Sequence, residues 1–173
     1  MKDSEKEKFF FKLFNENRER IHRLCFAYLI DKTEVDDLFQ EVMINVWNNL
    51  DKFRGESQIS TWVYRIAVNT AFLFNKKKKK ANDLFIRNIT ETQSEKAEEK
   101  GSSEEENTML INKLHQCINT LEKQDRIIIT LVLEGLKYNE IADITGLTTN
   151  HIGVKINRIK PILSTLMKEV QNG

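Results

Sequence analysis

An uninterrupted stripe of apolar residues between Val35 and Leu50 is the feature that most constrains the fold of this chain. Its members recur at i, i+3, i+4 and i+7, the pattern of an amphipathic helix with one buried face. Such a helix needs other apolar faces to pack against, so the pattern predicts a helical bundle. The stripe comprises Val35, Leu38, Phe39, Val42, Met43, Val46, Trp47 and Leu50.

Composition also favours an all-α fold. One proline and six glycines in 173 residues are few for a turn-rich β protein. The sequence has two cysteines, Cys25 and Cys117, and neither belongs to a CxxC motif. Both are predicted to be small buried side chains rather than members of a disulfide or ligands of a metal. Other helices are predicted from about residue 6 to 30, from residue 60 after the loop DKFRGESQIS, from about residue 109, and from about 123 to 134.

Charge divides the chain into three parts. Residues 1–80 carry 16 Lys+Arg and 12 Asp+Glu, residues 81–107 carry 3 and 8, and residues 108–173 carry 8 and 6. The middle part is rich in Glu and Ser and poor in large apolar residues, so it cannot bury enough surface to offset its ordering entropy. We therefore expect two small helical domains, residues 1–80 and 108–173, joined by a flexible acidic linker over residues 81–107.

The segment YNEIADITGLTTNHIGVKINRIK, Tyr138 to Lys160, has the form of a helix-turn-helix. Gly146 stands where the turn needs a positive φ, and Ile152 and Ile156 would anchor the second helix. The outer positions of that helix can reach base edges and phosphates in a major groove. They are Asn150, His151, Gly153, Lys155, Asn157 and Arg158. A helical hairpin without a DNA-binding role is the alternative.

Two other surfaces need an explanation. Asp37, Gln40, Glu41 and Ile44 are three and four residues apart, so they share one side of the helix that carries the apolar stripe. That side is either a solvated acidic surface or a docking face. The segment WVYRIAVNTAFLFNKKKKK, residues 62–80, runs from an aromatic-rich helix into five lysines, which suits either a phosphate backbone or a solvated helix end.

Motifs for catalysis are missing from the sequence. It has no HExxH, no glycine-rich phosphate loop and no Cys/His cluster, so no catalytic residue, metal site or cofactor is predicted. A metal-dependent enzyme that used Asp36, Asp37 and Glu41 would have an incomplete ligand set.

The sequence also predicts where the protein is located. The charged N-terminus lacks the apolar core of a secretory signal, and no segment is long enough to span a membrane. We therefore expect a cytoplasmic protein that is not membrane-embedded.

Three segments together resemble one protein family. DDLFQEVMINVW, FRGESQISTWVYRIAVNTA and LEGLKYNEIADITGLTTNHIGVKINRIK occur in this order, with the acidic segment before the third. The chain thereby resembles, over about residues 10–170, the extracytoplasmic-function (ECF) sigma factors of bacterial RNA polymerase. The resemblance implies a transcription initiation factor that is not an enzyme. It also implies core RNA polymerase and promoter DNA as partners, and many such proteins have an anti-sigma factor as well.

The resemblance assigns roles to individual residues. Asp37, Gln40 and Glu41 match the positions that dock on core polymerase. The helix-turn-helix matches the domain that reads the minus-thirty-five element as duplex. Positions that match the family's contacts with the melted non-template strand of the minus-ten element are Phe53, Arg54, Ser57, Tyr64, Arg65 and Asn69, and the lysine run adds Lys76 and Lys77 as candidates for phosphate contact.

Two residues depart from the family pattern. Gly153 stands where relatives often carry a larger polar or basic side chain, and Pro161 stands where the second helix would normally continue. Because proline disfavours helix at the residue before it, the helix is expected to end or bend near Lys160. A self-sufficient helix-turn-helix regulator, with the N-terminal bundle as a dimerisation or sensing domain, remains the alternative function.

Overall fold

A computed structural model of the chain describes residues 3–29, 32–85 and 105–172. These residues form seven α-helices and one short 3₁₀ helix, and no strand is present among them, so the all-α prediction is confirmed. The helices are α1 (Asp3–Tyr28), α2 (Lys32–Asn49), α3 (Ile59–Phe85), α4 (Glu105–Asn119), α5 (Lys123–Leu133), α6 (Tyr138–Thr145) and α7 (Thr149–Asn172), and the 3₁₀ helix is Leu50–Lys52.

The helices that border the acidic segment extend into it. Helix α3 ends at Phe85, and α4 begins at Glu105, so both extend into residues 81–107, which were predicted to be linker. Residues 86–104 lie outside the described part of the chain, and their predicted flexibility stays a prediction.

The apolar stripe of α2 forms the centre of the N-terminal bundle (α1–α3). Leu38, Val42 and Val46 are completely buried. They belong to one core with Leu24 of α1 and Val63 of α3, among other residues. The predicted packing of the stripe is therefore confirmed.

The helix-turn-helix forms as predicted, except at its C-terminal end. Gly146 adopts φ 73° at the end of α6, the left-handed conformation that the turn requires. Ile152 and Ile156 are completely buried. The predicted end of α7 near Lys160 is wrong, because the helix continues through Pro161 to Asn172. The other expectation, a bend at this point, stays a prediction.

Packing explains why α7 tolerates the proline. Pro161 is exposed, while its neighbours Ile159 and Leu163 are buried in a small core with Cys117 and Ile118 of α4. Proline in a helix interior costs about 3 kcal/mol. Burial of two large aliphatic side chains, at about 1.5–3 kcal/mol each, offsets that cost.

The C-terminal domain (α4–α7) packs directly on the N-terminal bundle. Ile127, Ile128 and Leu131 of α5 belong to the same core as residues of α1, α2 and α3. Arg126, itself buried, donates a hydrogen bond from Nη2 to the backbone oxygen of Tyr28, the last residue of α1, at 3.2 Å. A side chain of one domain thus satisfies a carbonyl at the helix end of the other.

A cluster of charged side chains also lies at the interface between the two domains. Glu134, whose side chain is 7% exposed, follows α5 and accepts hydrogen bonds from Arg23 of α1. Arg20 Nε lies 3.4 Å from Glu134 Oε2. The hydrogen bond with Glu134 raises the pKa of the Arg23 guanidinium.

Candidate nucleic-acid interface

An open groove of about 480 Å³ lies where the loop before α3 meets the first turns of that helix. Three cations and two acids surround it, so its walls carry a net charge of about +1. We call it the α3 groove. The lining residues are Lys52, Phe53, Arg54, Glu56, Ser57, Trp62, Arg65 and Asp143.

The floor of the α3 groove includes an aromatic pair. The rings of Phe53 and Trp62 are 5.4 Å apart between centroids and tilted by 58°. Both side chains are half-buried, and Trp62 packs against the core. The contact holds the two rings in place, and rings held in place lose little entropy when a base packs on them.

Arg65 supplies a cation inside the groove. Its Nε is buried and has no hydrogen-bond partner among the described residues. A buried donor without an acceptor is unfavourable. Arg54 is exposed at the groove and Ser57 is half-buried, so four of the predicted minus-ten residues, Phe53, Arg54, Ser57 and Arg65, lie together.

The remaining predicted minus-ten residues lie elsewhere. Tyr64 is 1% exposed, and burial, with a further contribution from the Glu134 carboxylate, raises the pKa of its phenol. Asn69 is exposed on α3. Lys76 and Lys77 lie further along α3, but their side chains fall outside the described part of the chain. DNA contact by these four residues stays a prediction.

Asp143 ties the α3 groove to the C-terminal domain. It belongs to α6, the first helix of the helix-turn-helix, yet it lines the groove beside residues of the N-terminal bundle. The residues predicted to read the minus-ten element and the domain predicted to read the minus-thirty-five element are therefore in contact.

Helix α7 presents most of its predicted polar face to solvent. Asn150, His151, Asn157 and Arg158 are exposed, and Gly153 is half-buried. Lys155 differs from them, because its side chain is 21% exposed and its Nζ lies 2.7 Å from Asp125 Oδ1. Arg158 donates from Nη2 to the other oxygen of the same carboxylate at 2.5 Å.

Sequence reasoning missed two residues at this face. Asp125, 5% exposed in the first turn of α5, binds two of the predicted DNA-contacting cations. No local pattern links residue 125 to residues 155 and 158. Val154 is 57% exposed beside the polar positions of α7. Its helical spacing, four residues from both Asn150 and Arg158, would have identified it.

The acidic side of α2 faces solvent. Asp37 and Gln40 are exposed, Glu41 is half-buried, and Ile44 is 58% exposed. An exposed isoleucine beside acidic residues fits a docking face, and docking of core polymerase at these residues stays a prediction.

The described residues include neither a candidate metal site nor a helix that could span a membrane. They contain no group of three or more His, Cys, Asp or Glu side chains placed to hold a metal ion. Among the same residues, no helix is long and apolar enough to cross a membrane.

Comparisons with known proteins match both domains. The family model for sigma-70 region 2 matches residues 13–80, and that for sigma-70 region 4 matches residues 111–160. The ECF RNA polymerase sigma-E factor of Escherichia coli K12 is 33% identical over 149 residues, which cover 75% of this chain and 76% of that protein. The chain belongs to the ECF sigma factor family. The sigma-E factor of Haemophilus influenzae is 30% identical over 141 residues, 78% of this chain and 75% of that protein.

Two solved structures share the fold. The sigma factor RpoE from Bartonella quintana, determined in complex with the anti-sigma factor NepR, has a TM-score of 0.74 at 19% identity. The match covers 93% of this chain and 98% of that one. CnrH, determined in complex with the cytosolic domain of CnrY, has a TM-score of 0.65 over 94% of this chain and 90% of that one, also at 19% identity. The family models and the sigma-E relatives identify the chain as an alternative sigma factor for promoter recognition by RNA polymerase.

Proposed function

We propose that this sigma factor captures the melted non-template strand of the minus-ten element in the α3 groove, while α7 reads the minus-thirty-five element as duplex. The observation that carries the proposal is the α3 groove itself, where the Phe53–Trp62 ring pair lies beside Arg54 and Arg65. The polymerase supplies the chemistry of transcription, and this chain has no catalytic role.

The groove offers what a single strand needs. An unstacked base presents an apolar face, which packs on aromatic rings, and the flanking phosphates are attracted to cations. Phe53 and Trp62 provide the rings, while Arg54, Arg65 and Lys52 provide positive charge. Asn69, exposed on the same helix, adds an amide that can pair with a base edge.

Docking on core polymerase is assigned to the outer side of α2. Asp37, Gln40 and Glu41 match the family's docking positions, and Ile44 adds an exposed apolar side chain beside them. A face with a hydrophobic centre and a polar rim is the usual anatomy of a protein interface. We therefore place core polymerase on this face.

The two DNA-reading surfaces cannot serve one promoter in the arrangement seen here. Two elements about 25 base pairs apart are separated by roughly 85 Å of B-form DNA, at about 3.4 Å per base pair. A compact chain of this size has a radius of gyration of about 16 Å, hence a diameter of roughly 40 Å. The C-terminal domain must therefore leave the N-terminal bundle before both elements are bound.

Separation would also uncover residues in the minus-ten region. Asp143 would leave the wall of the α3 groove and remove a negative charge from the path of the phosphates. Tyr64, which the Glu134 carboxylate approaches in the packed arrangement, would lose that neighbour. The packed state is thus the free form of the sigma factor, and the separated state is the form bound to polymerase.

Two further assignments rest on the family. The site of action is inside the cell, with RNA polymerase. An anti-sigma factor is a proposed partner, because the RpoE structure described above was determined with one.

In vitro transcription with purified bacterial core polymerase tests the proposed function. Fork-junction DNA selected from a randomised pool serves as the promoter probe, and permanganate reactivity of thymines reports the melted strand. We expect strand opening to require both core polymerase and this chain. Trp62→Ala should reduce opening more than Leu110→Ala, which removes a partly exposed side chain on α4. Tight duplex binding by the free chain, with no effect of core, would instead favour a self-sufficient regulator.

A further inference from the structure

We propose that Asp125 is a positioning residue for promoter recognition, which holds Lys155 against the protein and aims Arg158 at a base. Arg158, rather than Lys155, is then the cation of α7 that discriminates between base pairs. This inference rests on the proposed reading of the minus-thirty-five element by α7.

The first observation is the carboxylate itself. Asp125 is 5% exposed, and its two oxygens accept one hydrogen bond each, from Lys155 Nζ at 2.7 Å and from Arg158 Nη2 at 2.5 Å. A buried carboxylate needs such partners, because the loss of one leaves a charge out of water with too little compensation. Asp125 also lies in the first turn of α5, where the helix dipole favours a negative charge.

The position of Lys155 on α7 shows why it stays with Asp125. Its neighbours at i−3 and i+4, Ile152 and Ile159, are completely buried, so Lys155 lies at the edge of the core. Its side chain is 21% exposed. Movement out to a phosphate would remove one of the two partners of a buried carboxylate, so Lys155 serves the fold of the domain.

Arg158 has the opposite surroundings. Its neighbours at i−4 and i+4, Val154 and Ile162, are 57% and 41% exposed, and its own side chain is 61% exposed. The bond to Asp125 uses one of five N–H donors and leaves the others to form a two-pronged contact with a guanine. A guanidinium held by a carboxylate loses less side-chain entropy when it binds DNA.

The two cations therefore predict different results. Duplexes selected by wild-type holoenzyme from a pool randomised upstream of the melted region serve as probes, and single base-pair changes and salt titrations are measured on each variant. Arg158→Ala should lose discrimination at one base pair by about 5- to 150-fold, which corresponds to about 1–3 kcal/mol. Lys155→Gln should leave discrimination at every base pair within about twofold.

Asp125→Asn distinguishes a role of Asp125 in orienting Arg158 from a role in stabilising the fold alone. It removes a negative charge from the DNA-facing side, so non-specific binding should become tighter and the dependence on salt steeper. Discrimination at the Arg158 base pair should nevertheless fall, and addition of Arg158→Ala should cause little further loss at that base pair. A general loss of structure would weaken all binding and could not produce this combination.

Arg158→Lys provides a second test in case Asp125→Asn does not fold. Lysine keeps the charge and the ion pair with Asp125 but lacks the planar set of donors that makes a two-pronged contact with a base. Discrimination between base pairs should therefore fall, while the dependence of affinity on salt stays the same. The inference is overturned if Lys155→Gln has the base-selective loss, or if Arg158→Lys and folded Asp125→Asn keep wild-type discrimination. Failure of wild-type holoenzyme to select any upstream sequence would refute the proposed function itself.

Discussion

Arg23 and Glu134 are 111 residues apart in sequence and form two parallel hydrogen bonds, Nε to Oε1 at 2.6 Å and Nη2 to Oε2 at 3.0 Å. Arg23 lies on α1 and Glu134 follows α5, so this bidentate pair links the two domains. Paired N–H···O bonds of this kind fix orientation as well as distance. The pair therefore sets how the C-terminal domain sits on the N-terminal bundle.

Glu134→Gln should loosen the contact between the domains. The substitution keeps the size of the side chain but removes the charge that compensates two arginines, whose side chains are 45% and 47% exposed. Because these arginines remain partly solvated, we expect a loss of about 1–3 kcal/mol in domain packing rather than the full penalty of a buried pair. Small-angle X-ray scattering of the free protein should show a larger radius of gyration.

Glu7→Gln is the matched control, since Glu7 is exposed on α1 and the change removes the same charge. It should leave the scattering profile as in wild type. If Glu134→Gln has the wild-type radius of gyration as well, this ion cluster does not hold the domains together.

The sequence alone was enough to predict the structural features that depend on local periodicity. The stripe from Val35 to Leu50 repeats at helical spacing, and its burial follows from that spacing. Gly146 was predicted because an αL turn favours glycine. Pro161 was misjudged because the rule for proline is also local, whereas the burial of Ile159 and Leu163 against α4 depends on tertiary packing.

Pairings between distant residues were beyond local reasoning. No repeat or motif in the sequence relates Asp125 to Arg158, which form a hydrogen bond. The same holds for Asp143 and Arg65, which line one groove. The sequence also assigned Tyr64 to DNA contact by likeness to a family. Its burial follows from how the helices pack, and the spacing within α3 alone does not reveal it.

Cys25 should be chemically inert while the protein is folded. Its side chain is 2% exposed, and burial raises the pKa of the thiol from 9.0 to about 12. Because the thiolate is the reactive form, iodoacetamide should modify Cys25 at pH 8 only as fast as the protein unfolds. Mass spectrometry of a Cys117→Ala variant, in which Cys25 is the remaining cysteine, measures the rate, and the same reaction in guanidinium is the control.

The same pKa predicts an alkaline loss of stability. A thiol whose pKa is raised on folding contributes its full stability below pH 9, and that contribution is lost as the pH rises toward 12. The gap between the two pKa values corresponds to about 4 kcal/mol. The difference in unfolding free energy between Cys25→Ala and wild type should therefore shrink above pH 9, and a constant difference up to pH 11 would contradict the prediction.

The outer side of α2 should bind core polymerase. Gln40→Ala with Glu41→Lys should weaken core binding by about 1–2 kcal/mol, roughly 5- to 30-fold, because it removes a polar contact and reverses a charge at the proposed docking face. Thermal unfolding should confirm that the double variant is folded. Glu7→Lys, a charge reversal at an exposed position of α1, should bind core as wild type does, and equal affinity of all three proteins would refute the docking assignment.

Gly153→Ala should stabilise the protein. The glycine lies inside α7, and a Cβ at this position would come no closer than 4.0 Å to its nearest neighbour, Tyr138 Cε2. Alanine in a helix interior is favoured over glycine by about 0.5–1 kcal/mol. The added methyl group carries no charge and no hydrogen-bonding group, and its nearest neighbour is Tyr138 Cε2. Upstream DNA affinity should therefore stay within about twofold. A tenfold loss of affinity in a stabilised variant would show that DNA approaches the backbone at Gly153.

Val154 should read the methyl group of a thymine. It is 57% exposed on α7, with Asn150 and Arg158 one turn away on either side, so it lies among the polar groups that would enter the major groove. Burial of one methyl group is worth about 0.8 kcal/mol, or roughly fourfold in affinity.

Thymine-to-deoxyuridine replacement tests this contact. In a duplex selected by wild-type holoenzyme, replacement of each thymine in turn by deoxyuridine removes one methyl group and keeps every hydrogen bond. One position should cost wild type about fourfold and cost Val154→Ala nothing. Ile162→Ala, which truncates another exposed aliphatic residue of the same helix, should keep the wild-type pattern. If no deoxyuridine position distinguishes wild type from Val154→Ala, the side chain lies outside the reading face.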